Sequence, residues 1–263
     1  MDLGINGKIA LVTAASRGLG RGCAQQLAAE KCRVAICSRD EATVKQAAEE
    51  ITEQSGAEVL GFGADVSKAE DISRLLEDVR QSLGDPEILV TNAGGPPPGT
   101  FASTALEEYE KALNLNLMSA VNLIHGVVPA MKASGWGRII AITSISVKQP
   151  IANLLLSNMA RAGLTGFLKT LATELAPSGI TVNALLPGTH KTARIDQLAR
   201  DTAEREDKPL KQVYEELHAA VPCKTIGDPN DFGAVAAFLA GIHARYITGQ
   251  SLLVDGGKYG GLL

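Results

Sequence analysis

Hydrophobic residues along the chain occur in two alternating patterns. Short runs that are apolar throughout and rich in β-branched residues are typical of parallel strands buried on both faces. Longer segments with apolar residues three and four positions apart are typical of helices with one buried face. The apolar runs predict seven strands, at residues 8–14, 33–38, 57–66, 87–94, 137–144, 179–188 and 251–257. The longer segments predict helices between them, at residues 18–31, 41–54, 69–84, 105–133 and 151–176.

This regular alternation predicts a single α/β domain over residues 1–263. The expected architecture is a doubly wound, Rossmann-type fold, with a seven-stranded parallel sheet and helices on both faces. One segment, residues 189–222, departs from the alternation because it is polar and helical directly after a strand. An excursion at the carboxyl end of a strand favours a substrate lid, although a solvated helical insertion would have the same pattern.

Composition and charge narrow the function classes. Hydrophobic residues make up 45% of the chain and charged residues 21%, and the net charge is −4. A globular chain of this charge is not expected to bind nucleic acid. It has no leader pattern and no apolar run long enough to span a bilayer, so we expect a cytoplasmic protein without a membrane partner. The four cysteines form no CxxC pair and the four histidines lack metal-ligand spacing, so we expect free thiols and no metal site.

The first predicted strand leads into a turn that contains glycine. The stretch TAASRGLG, residues 13–20, places Gly18 and Gly20 at the start of the first helix. Glycines at such a turn let the backbone approach a pyrophosphate, and the helix N-terminus supplies unpaired N–H groups. Because the turn follows the first strand of a βαβ pattern, it predicts a dinucleotide-binding site.

The end of the second strand distinguishes NADP from NAD. In CSRDE, residues 37–41, Ser38 ends the strand and Arg39 follows it, with Arg17 in the glycine turn. Two arginines without a terminal acid favour a 2′-phosphate, which guanidinium groups bind through charge-assisted hydrogen bonds. Asp40 is the alternative, because it lies near the usual interval for an acid that binds the ribose of NAD. Since the strand is expected to end at Ser38, we expect NADP(H).

Short polar and glycine residues follow two further strands. Asp65 closes the third strand and NAGG, residues 92–95, closes the fourth. Carboxyl strand ends line the crevice of a doubly wound sheet, so these residues are candidate cofactor contacts. In GGPPPGTF, residues 94–101, three prolines predict either a stiff wall of the substrate pocket or a simple connecting loop.

In their order along the chain, these features resemble the short-chain dehydrogenase/reductase family, and within it the 3-oxoacyl-carrier-protein reductases. TAASRGLG is similar to the family's TGxxxGxG loop, with Ala14 in place of the first glycine. The likeness continues through ADV, NAG, LNLNLMSAV, GRIIAITS, ITVNALLPGTHKT and ITGQSLLVDGG. It implies an oxidoreductase whose cofactor contacts are Thr13, Ser16, Arg17, Gly18, Leu19, Gly20, Ser38, Arg39, Asp65, Val66, Asn92, Ala93, Gly94, Pro187, Gly188 and Thr192.

The resemblance assigns the catalytic asparagine and serine to Asn116 and Ser144, but the motif that should follow is missing. The family has Tyr-x-x-x-Lys on the next helix, with the tyrosine about thirteen residues past the serine. Here Ser157 and Arg161 occupy those positions, and no tyrosine occurs between residues 141 and 170. Four residues apart, the two share one helix face, and arginine is rarely buried without a partner. We therefore expect both as catalytic residues facing the cleft, with Arg161 also contacting the cofactor.

This replacement changes the acid–base chemistry that the site can perform. A serine hydroxyl is a far weaker acid than a phenol, so we expect Ser157 to donate a hydrogen bond rather than a proton. Arg161 stays charged and can bind ribose hydroxyls or stabilise oxyanion charge. The proton then has several candidate sources, namely water relayed by Asn116, Lys148, or a lid residue such as His190 or Tyr214.

Two functions are compatible with these residues. The first is an NADP-dependent oxidoreductase with a non-standard active site, which transfers a hydride between nicotinamide and a small carbonyl or alcohol substrate. The alternative is a catalytically impaired NADP-binding protein of the same fold that acts as a sensor or subunit. The retained Ser144 and Asn116 favour the enzyme. The resemblance also implies a homo-oligomer, either a tetramer or a dimer.

Overall fold

The computed structural model describes residues 1–262 and follows the predicted alternation. Seven parallel strands form one sheet in the order β3-β2-β1-β4-β5-β6-β7. Their bounds are β1 (Ile9–Val12), β2 (Arg33–Ser38), β3 (Val59–Gly63), β4 (Ile88–Thr91), β5 (Gly137–Ile142), β6 (Ile180–Pro187) and β7 (Ser251–Val254). The prediction of a doubly wound, seven-stranded parallel sheet in one domain is confirmed.

Helices cover both faces of this sheet. The α-helices of residues 1–262 are α1 (Gly18–Ala29), α2 (Glu41–Ser55), α3 (Ala69–Ser82), α4 (Leu106–Leu113), α5 (Ser119–Ser134), α6 (Leu155–Leu175), α7 (Ala193–Glu206), α8 (Leu210–Ala219) and α9 (Pro229–Ala240). One apolar layer contains side chains of α1, α2 and α9, and the other contains side chains of α3, α5 and α6. In residues 1–262, no helix combines the length and the apolar character needed to cross a membrane.

Strand β1 is apolar at every position because each face of the sheet meets a layer of helices. Ala10 and Val12 of β1 point into the first layer, whereas Leu11 points into the second. All three are fully buried. Strand β1 pairs with β2 on one side and β4 on the other, so the chain reverses its direction of winding there. Ligands of such sheets bind in the crevice beyond the carboxyl ends of the strands at this reversal.

The structure corrects three element boundaries. The predicted helix at 105–133 is not continuous, because a π-helical segment, Asn114–Met118, separates α4 from α5. Strand β3 ends at Gly63, so Asp65 lies two residues beyond the strand instead of closing it. Helix α6 begins at Leu155 rather than 151, because the preceding residues form a bridge between Gly99 and Leu154. The segment 189–222 contains α7 and α8, and sequence reasoning did not predict α9.

Helices α1 and α9 approach each other through two glycines. A Cβ atom on Gly22 would overlap the carbonyl oxygen of Pro229 and lie 2.6 Å from its carbon. A Cβ atom on Gly233 would likewise overlap the Gly22 backbone. We predict that Gly22→Ala lowers the free energy of unfolding by about 3 kcal/mol, because backbone atoms of both helices must separate. Urea unfolding followed by circular dichroism measures this change.

Gly166→Ala is the matched control for this prediction. Gly166 also lies inside a helix, α6, but a Cβ atom there would have no heavy atom within 4 Å. Alanine at an exposed helical position should raise the free energy of unfolding by up to about 1 kcal/mol. Equal effects of the two substitutions would contradict the close approach of α1 and α9.

Candidate active site

The loop between β1 and α1 has the backbone shape of a dinucleotide-binding turn. Gly18 has a φ of +63°, and Ala14, in the place of the family's first glycine, has a φ of +47°. A Cβ atom on Gly20 would lie 2.6 Å from the Ala14 carbonyl oxygen and 2.9 Å from the Asn92 side-chain nitrogen. Only glycine at position 20 therefore allows the loop to fold this closely onto the start of the helix.

Helix α1 begins without a side-chain cap. Its N-cap residue, Arg17, makes no capping hydrogen bond, whereas Asp40, Thr192 and Asp228 cap α2, α7 and α9. The first N–H groups of α1 are thus left for another acceptor, and an anion at a helix N-terminus satisfies them. A cavity of about 390 Å³ opens beside this helix start and extends to the first turn of α7. These features fit the pyrophosphate of a dinucleotide.

At the end of β2 the structure separates the two predicted ribose contacts. Ser38 is the last residue of the strand, as expected. The Asp40 carboxylate accepts a hydrogen bond from the Thr43 N–H at 2.7 Å, and this bond lowers the pKa of Asp40. Asp40 is therefore used as the cap of α2. Arg17 and Arg39 are exposed and form no ion pair with any residue in 1–262, which fits a bound 2′-phosphate.

Polar contacts join the ends of β1 and β4. The Thr13 hydroxyl donates to the Asn92 carbonyl oxygen at 2.6 Å and accepts from the Asn92 N–H at 2.8 Å. The Asn92 side chain donates to the Ala14 carbonyl oxygen at 3.2 Å. Asp65 accepts hydrogen bonds from the N–H and the hydroxyl of Ser67. These contacts position the loops on both sides of the crevice.

Asn116 lies inside the π-helical segment between α4 and α5 and is buried. Its side-chain nitrogen donates to the Gly94 carbonyl oxygen at 2.9 Å. Its side-chain oxygen is buried and has no hydrogen-bond partner among the described residues. An unpaired buried acceptor is costly, so this oxygen is suited to a water molecule or a ligand. π-Helical turns occur frequently at functional sites.

Ser144, Ser157 and Arg161 are brought to the end of β5. The Ser144 hydroxyl oxygen accepts from the Ser146 N–H at 3.0 Å, which leaves its own O–H free to donate. Ser157 and Arg161 are each 8% exposed. The Arg161 Nε donates to the Ser157 hydroxyl oxygen at 3.2 Å, and its Nη1 donates to the carbonyl oxygens of Ile142 and Thr143, each at 3.0 Å.

The Arg161 guanidinium is a buried cation without a carboxylate partner in the described chain. Burial, and secondarily the positive charge of Arg194, lower the pKa of Arg161 to about 10. Its Nη2 atom makes no hydrogen bond within residues 1–262, so part of the guanidinium is left for a ligand. A charged donor also polarises the Ser157 hydroxyl, which makes that O–H a stronger hydrogen-bond donor.

The residues after β6 cross from the cofactor loop to the proline loop. Pro187 ends β6, and the Gly188 N–H bonds to the Val254 carbonyl oxygen. Methyl carbon Cγ2 of Thr192 lies 3.4 Å from the position of a Cβ atom on Gly18. Two residues later, Arg194 Nη2 donates to the Pro96 carbonyl oxygen at 3.2 Å. The first turn of α7 therefore bridges the loops that follow β1 and β4.

The three predicted side-chain proton sources have other contacts. His190 is buried edge-on against Phe232, with ring centroids 5.2 Å apart, and burial lowers its pKa. The Tyr214 hydroxyl donates to the Asp196 carboxylate at 2.7 Å, and this bond raises the pKa of Tyr214. The Lys148 amine lies 5.7 Å from the ring centroid of Tyr259 in the C-terminal segment. These contacts favour water relayed by Asn116 over His190 and Tyr214.

Sequence reasoning missed Arg194. The residue follows the predicted cofactor contact Thr192 by two positions, at the start of a helix that was predicted only as a lid. Its position in the first turn of that helix, close to Thr192 in the sequence, could have indicated that it lies near the site.

Comparison with known proteins identifies the family. A family model described as enoyl-(acyl carrier protein) reductase matches residues 13–258. The chain is 34% identical over 251 residues to dehydrogenase/reductase SDR family member 4 of Homo sapiens, which covers 95% of this chain and 87% of the relative. It is 35% identical over 257 residues to the 3-oxoacyl-acyl-carrier-protein reductase FabG of Salmonella typhimurium, covering 98% of this chain and 99% of the relative.

A solved structure is similar over the whole length. The L-sorbose reductase of Gluconobacter frateurii, complexed with NADPH and L-sorbose, superposes with a TM-score of 0.95 at 33% identity, covering 100% of both chains. The resemblance stated from the motifs is thus confirmed by overall sequence and by fold. The chain belongs to the short-chain dehydrogenase/reductase family of oxidoreductases.

Proposed function

We propose that the protein is an NADPH-dependent reductase of a small carbonyl compound, working with a non-standard active site. The uncapped start of α1 and the unpaired Arg17 and Arg39 support binding of the dinucleotide and of its 2′-phosphate. The similar L-sorbose reductase was solved with NADPH, which supports the same preference here. The position of Thr192, whose methyl carbon lies 3.4 Å from a Cβ position on Gly18, supports a role for this residue beside the same loop.

The observation that carries the proposal is the buried Ser157–Arg161 pair. A buried guanidinium without a counter-ion costs folding free energy, and this one keeps its Nη2 atom without a hydrogen bond within residues 1–262, so it can bind a ligand at the end of β5. Directed at a carbonyl group, the same charge stabilises the oxygen as negative charge develops during reduction. We infer that Ser157 and Arg161 replace the family's tyrosine and lysine in binding, but not in proton donation.

The chain's own residues then have separate tasks. Ser144 and Ser157 donate hydrogen bonds to the carbonyl oxygen, and Arg161 supplies positive charge behind Ser157 and binds the ribose hydroxyls. Bound NADPH would supply the hydride for the carbonyl carbon. Water next to Asn116 gives the carbonyl oxygen its proton, so that one ketone, one NADPH and one proton become one alcohol and one NADP⁺. The reaction is accelerated because the substrate is positioned and the negative charge on its carbonyl oxygen is stabilised, without a side-chain acid.

Two further features of the fold complete the proposal. The segment 189–222 forms the substrate lid, because its first turn already contacts both the cofactor loop and the proline loop.

The protein assembles as a homo-oligomer through α5 and α6, where Met159 is partly exposed and Met118 borders α5. Gel filtration with light scattering measures this assembly.

The reductase function is tested by following NADPH oxidation with a panel of carbonyl compounds, from small ketones to acyl thioesters. Turnover of at least one class is expected, and a Ser144→Ala variant should lose it. If NADPH binds but no compound in the panel is reduced, the sensor or subunit function is the better account.

We predict that NADPH binds more tightly than NADH, and that Arg17→Ala/Arg39→Ala removes the difference. Charge-assisted hydrogen bonds contribute about 1.5–3 kcal/mol, so the double variant should lose roughly tenfold to a hundredfold in NADPH affinity. NADH affinity should change little, because NADH has no phosphate at that position. Nucleotide fluorescence titration gives both dissociation constants. Equal affinity of the parent protein for the two nucleotides would refute this assignment.

A further inference from the structure

The substrate side of the crevice has a second guanidinium that no carboxylate neutralises. Arg194 reaches from the first turn of α7 to the Pro96 carbonyl oxygen at 3.2 Å. The Arg194 guanidinium lies about 3.6 Å from the position of a Cβ atom on Gly95. The group therefore sits over the proline loop, directly beyond the Asn-Ala-Gly stretch whose Gly94 carbonyl holds Asn116.

Arg194 and Arg161 are close enough for their charges to interact. The positive charge of Arg194 contributes to the lowered pKa of Arg161. Of these two, Arg161 is 8% exposed and is held by carbonyl and hydroxyl oxygens only. Two like charges near one crevice repel each other, and a shared anion would turn that repulsion into attraction.

Two acidic residues near this side of the crevice accept hydrogen bonds from other groups. Asp196 accepts from the Tyr214 hydroxyl, and Asp255 accepts from the N–H groups of Gly257 and Tyr259. The ion pairs within residues 1–262 include neither Arg161 nor Arg194. The amine of a further cation, Lys258, donates to the Thr189 hydroxyl oxygen at 3.0 Å. No carboxylate within residues 1–262 forms an ion pair with either guanidinium, so both charges are left for a bound anion.

We propose that the substrate is a carbonyl compound with a carboxylate near its carbonyl group, and that Arg194 binds this carboxylate. This inference rests on the proposed reductase function. A planar guanidinium matches a planar carboxylate through two parallel hydrogen bonds. Arg194 is near enough to Arg161 to act on its charge, and Arg161 bonds to Ser157, so a carboxylate on Arg194 leaves the adjoining carbonyl group on the side of Ser157. Arg194 is thus a specificity-determining residue supplied by the lid.

The test uses acids and their neutral methyl esters with the same carbon skeleton. Pyruvate, 2-oxobutyrate and phenylpyruvate are each compared with their methyl esters. For each pair, kcat/KM is measured with NADPH, and the dissociation constant is measured by calorimetry on the protein loaded with NADP⁺, which requires no turnover. We expect the acid to be preferred roughly tenfold to a hundredfold in at least one pair.

Arg194→Gln should remove the preference for acids, because glutamine keeps hydrogen-bonding ability but not charge. Arg200→Gln is the matched control, since Arg200 is an exposed arginine on the same helix α7. The control should keep the full acid-to-ester ratio. Raising the salt concentration should reduce the ratio in the parent protein more than in Arg194→Gln.

The outcomes separate this inference from the proposed function. Equal kcat/KM and equal dissociation constants for acid and ester in all three pairs, or failure of every acid to bind, would overturn the carboxylate assignment while leaving carbonyl reduction standing. An acid preference that survives in Arg194→Gln would also overturn it. If the acids bind through Arg194 but no NADPH is oxidised, the reductase function is refuted and the anion site at Arg194 stands.

Discussion

Replacing Arg161 with methionine should lower kcat/KM for carbonyl reduction by roughly 10²- to 10³-fold, because it removes the preorganised positive charge that stabilises the oxyanion through Ser157. Methionine retains a long apolar side chain but has neither charge nor N–H groups. The loss should fall mainly on kcat, since charge on the carbonyl oxygen develops during hydride transfer. Steady-state kinetics with saturating NADPH measures both constants.

The same substitution should not lower the free energy of unfolding. Burial lowers the pKa of Arg161, so the protonated side chain is less favourable in the folded chain than in the unfolded one. At pH 7 the group is protonated in both states and therefore subtracts from stability. Replacing it by an apolar residue offsets the loss of three hydrogen bonds. A large drop in Tm for Arg161→Met would show that the arginine is structural.

A second variant, Tyr259→Phe, tests whether a tyrosine outside the family's position supplies the proton. Tyr259 lies beside Lys148, which follows Ser144 by four residues. If a phenol from the C-terminal segment supplied the proton, Tyr259→Phe would lose activity, typically by a factor of roughly 10² to 10⁴. With water as the donor, we expect Tyr259→Phe to retain the parent kcat. Loss of kcat in this variant would move the acid from water to Tyr259.

Much of the fold could be predicted because local pattern and tertiary environment agree. Leu11 and its neighbours in β1 are apolar on both sides since helices cover both faces, and that pattern is visible in the sequence. The end of β2 at Ser38 was also predicted from local pattern, and the structure confirms it.

Other features of the site depend on long-range contacts that periodicity does not encode. The π-helical segment around Asn116 needs one additional residue in a helical turn, and the composition of LNLNLM carries no mark of it. The contact of Arg194 with Pro96 depends on where α7 begins and how it crosses the crevice. A polar helix predicts exposure of all its arginines equally, so one that faces a site cannot be distinguished by sequence alone.

Restoring the family motif with Ser157→Tyr/Arg161→Lys should raise the kcat of carbonyl reduction by roughly 10² or more. A phenol whose pKa is lowered by an adjacent ammonium can transfer a proton at neutral pH, whereas the serine hydroxyl cannot. Ser144 and Asn116, which align with the family's catalytic serine and asparagine, are unchanged in this variant and keep their hydrogen bonds. Steady-state NADPH oxidation of the best substrate in the carbonyl panel gives the comparison.

The two single variants make this experiment decisive. Arg161→Lys alone keeps a positive charge but loses the planar contacts to the Ile142 and Thr143 carbonyl oxygens, so it should be slower than the parent. Ser157→Tyr alone leaves a buried guanidinium beside the phenol and should gain less than the double variant. Since both residues act on one carbonyl oxygen, their effects should not add. A double variant slower than the parent would mean that Ser157 and Arg161 form a self-sufficient mechanism, in which the missing phenol is not a loss of function but a different way of holding the oxyanion.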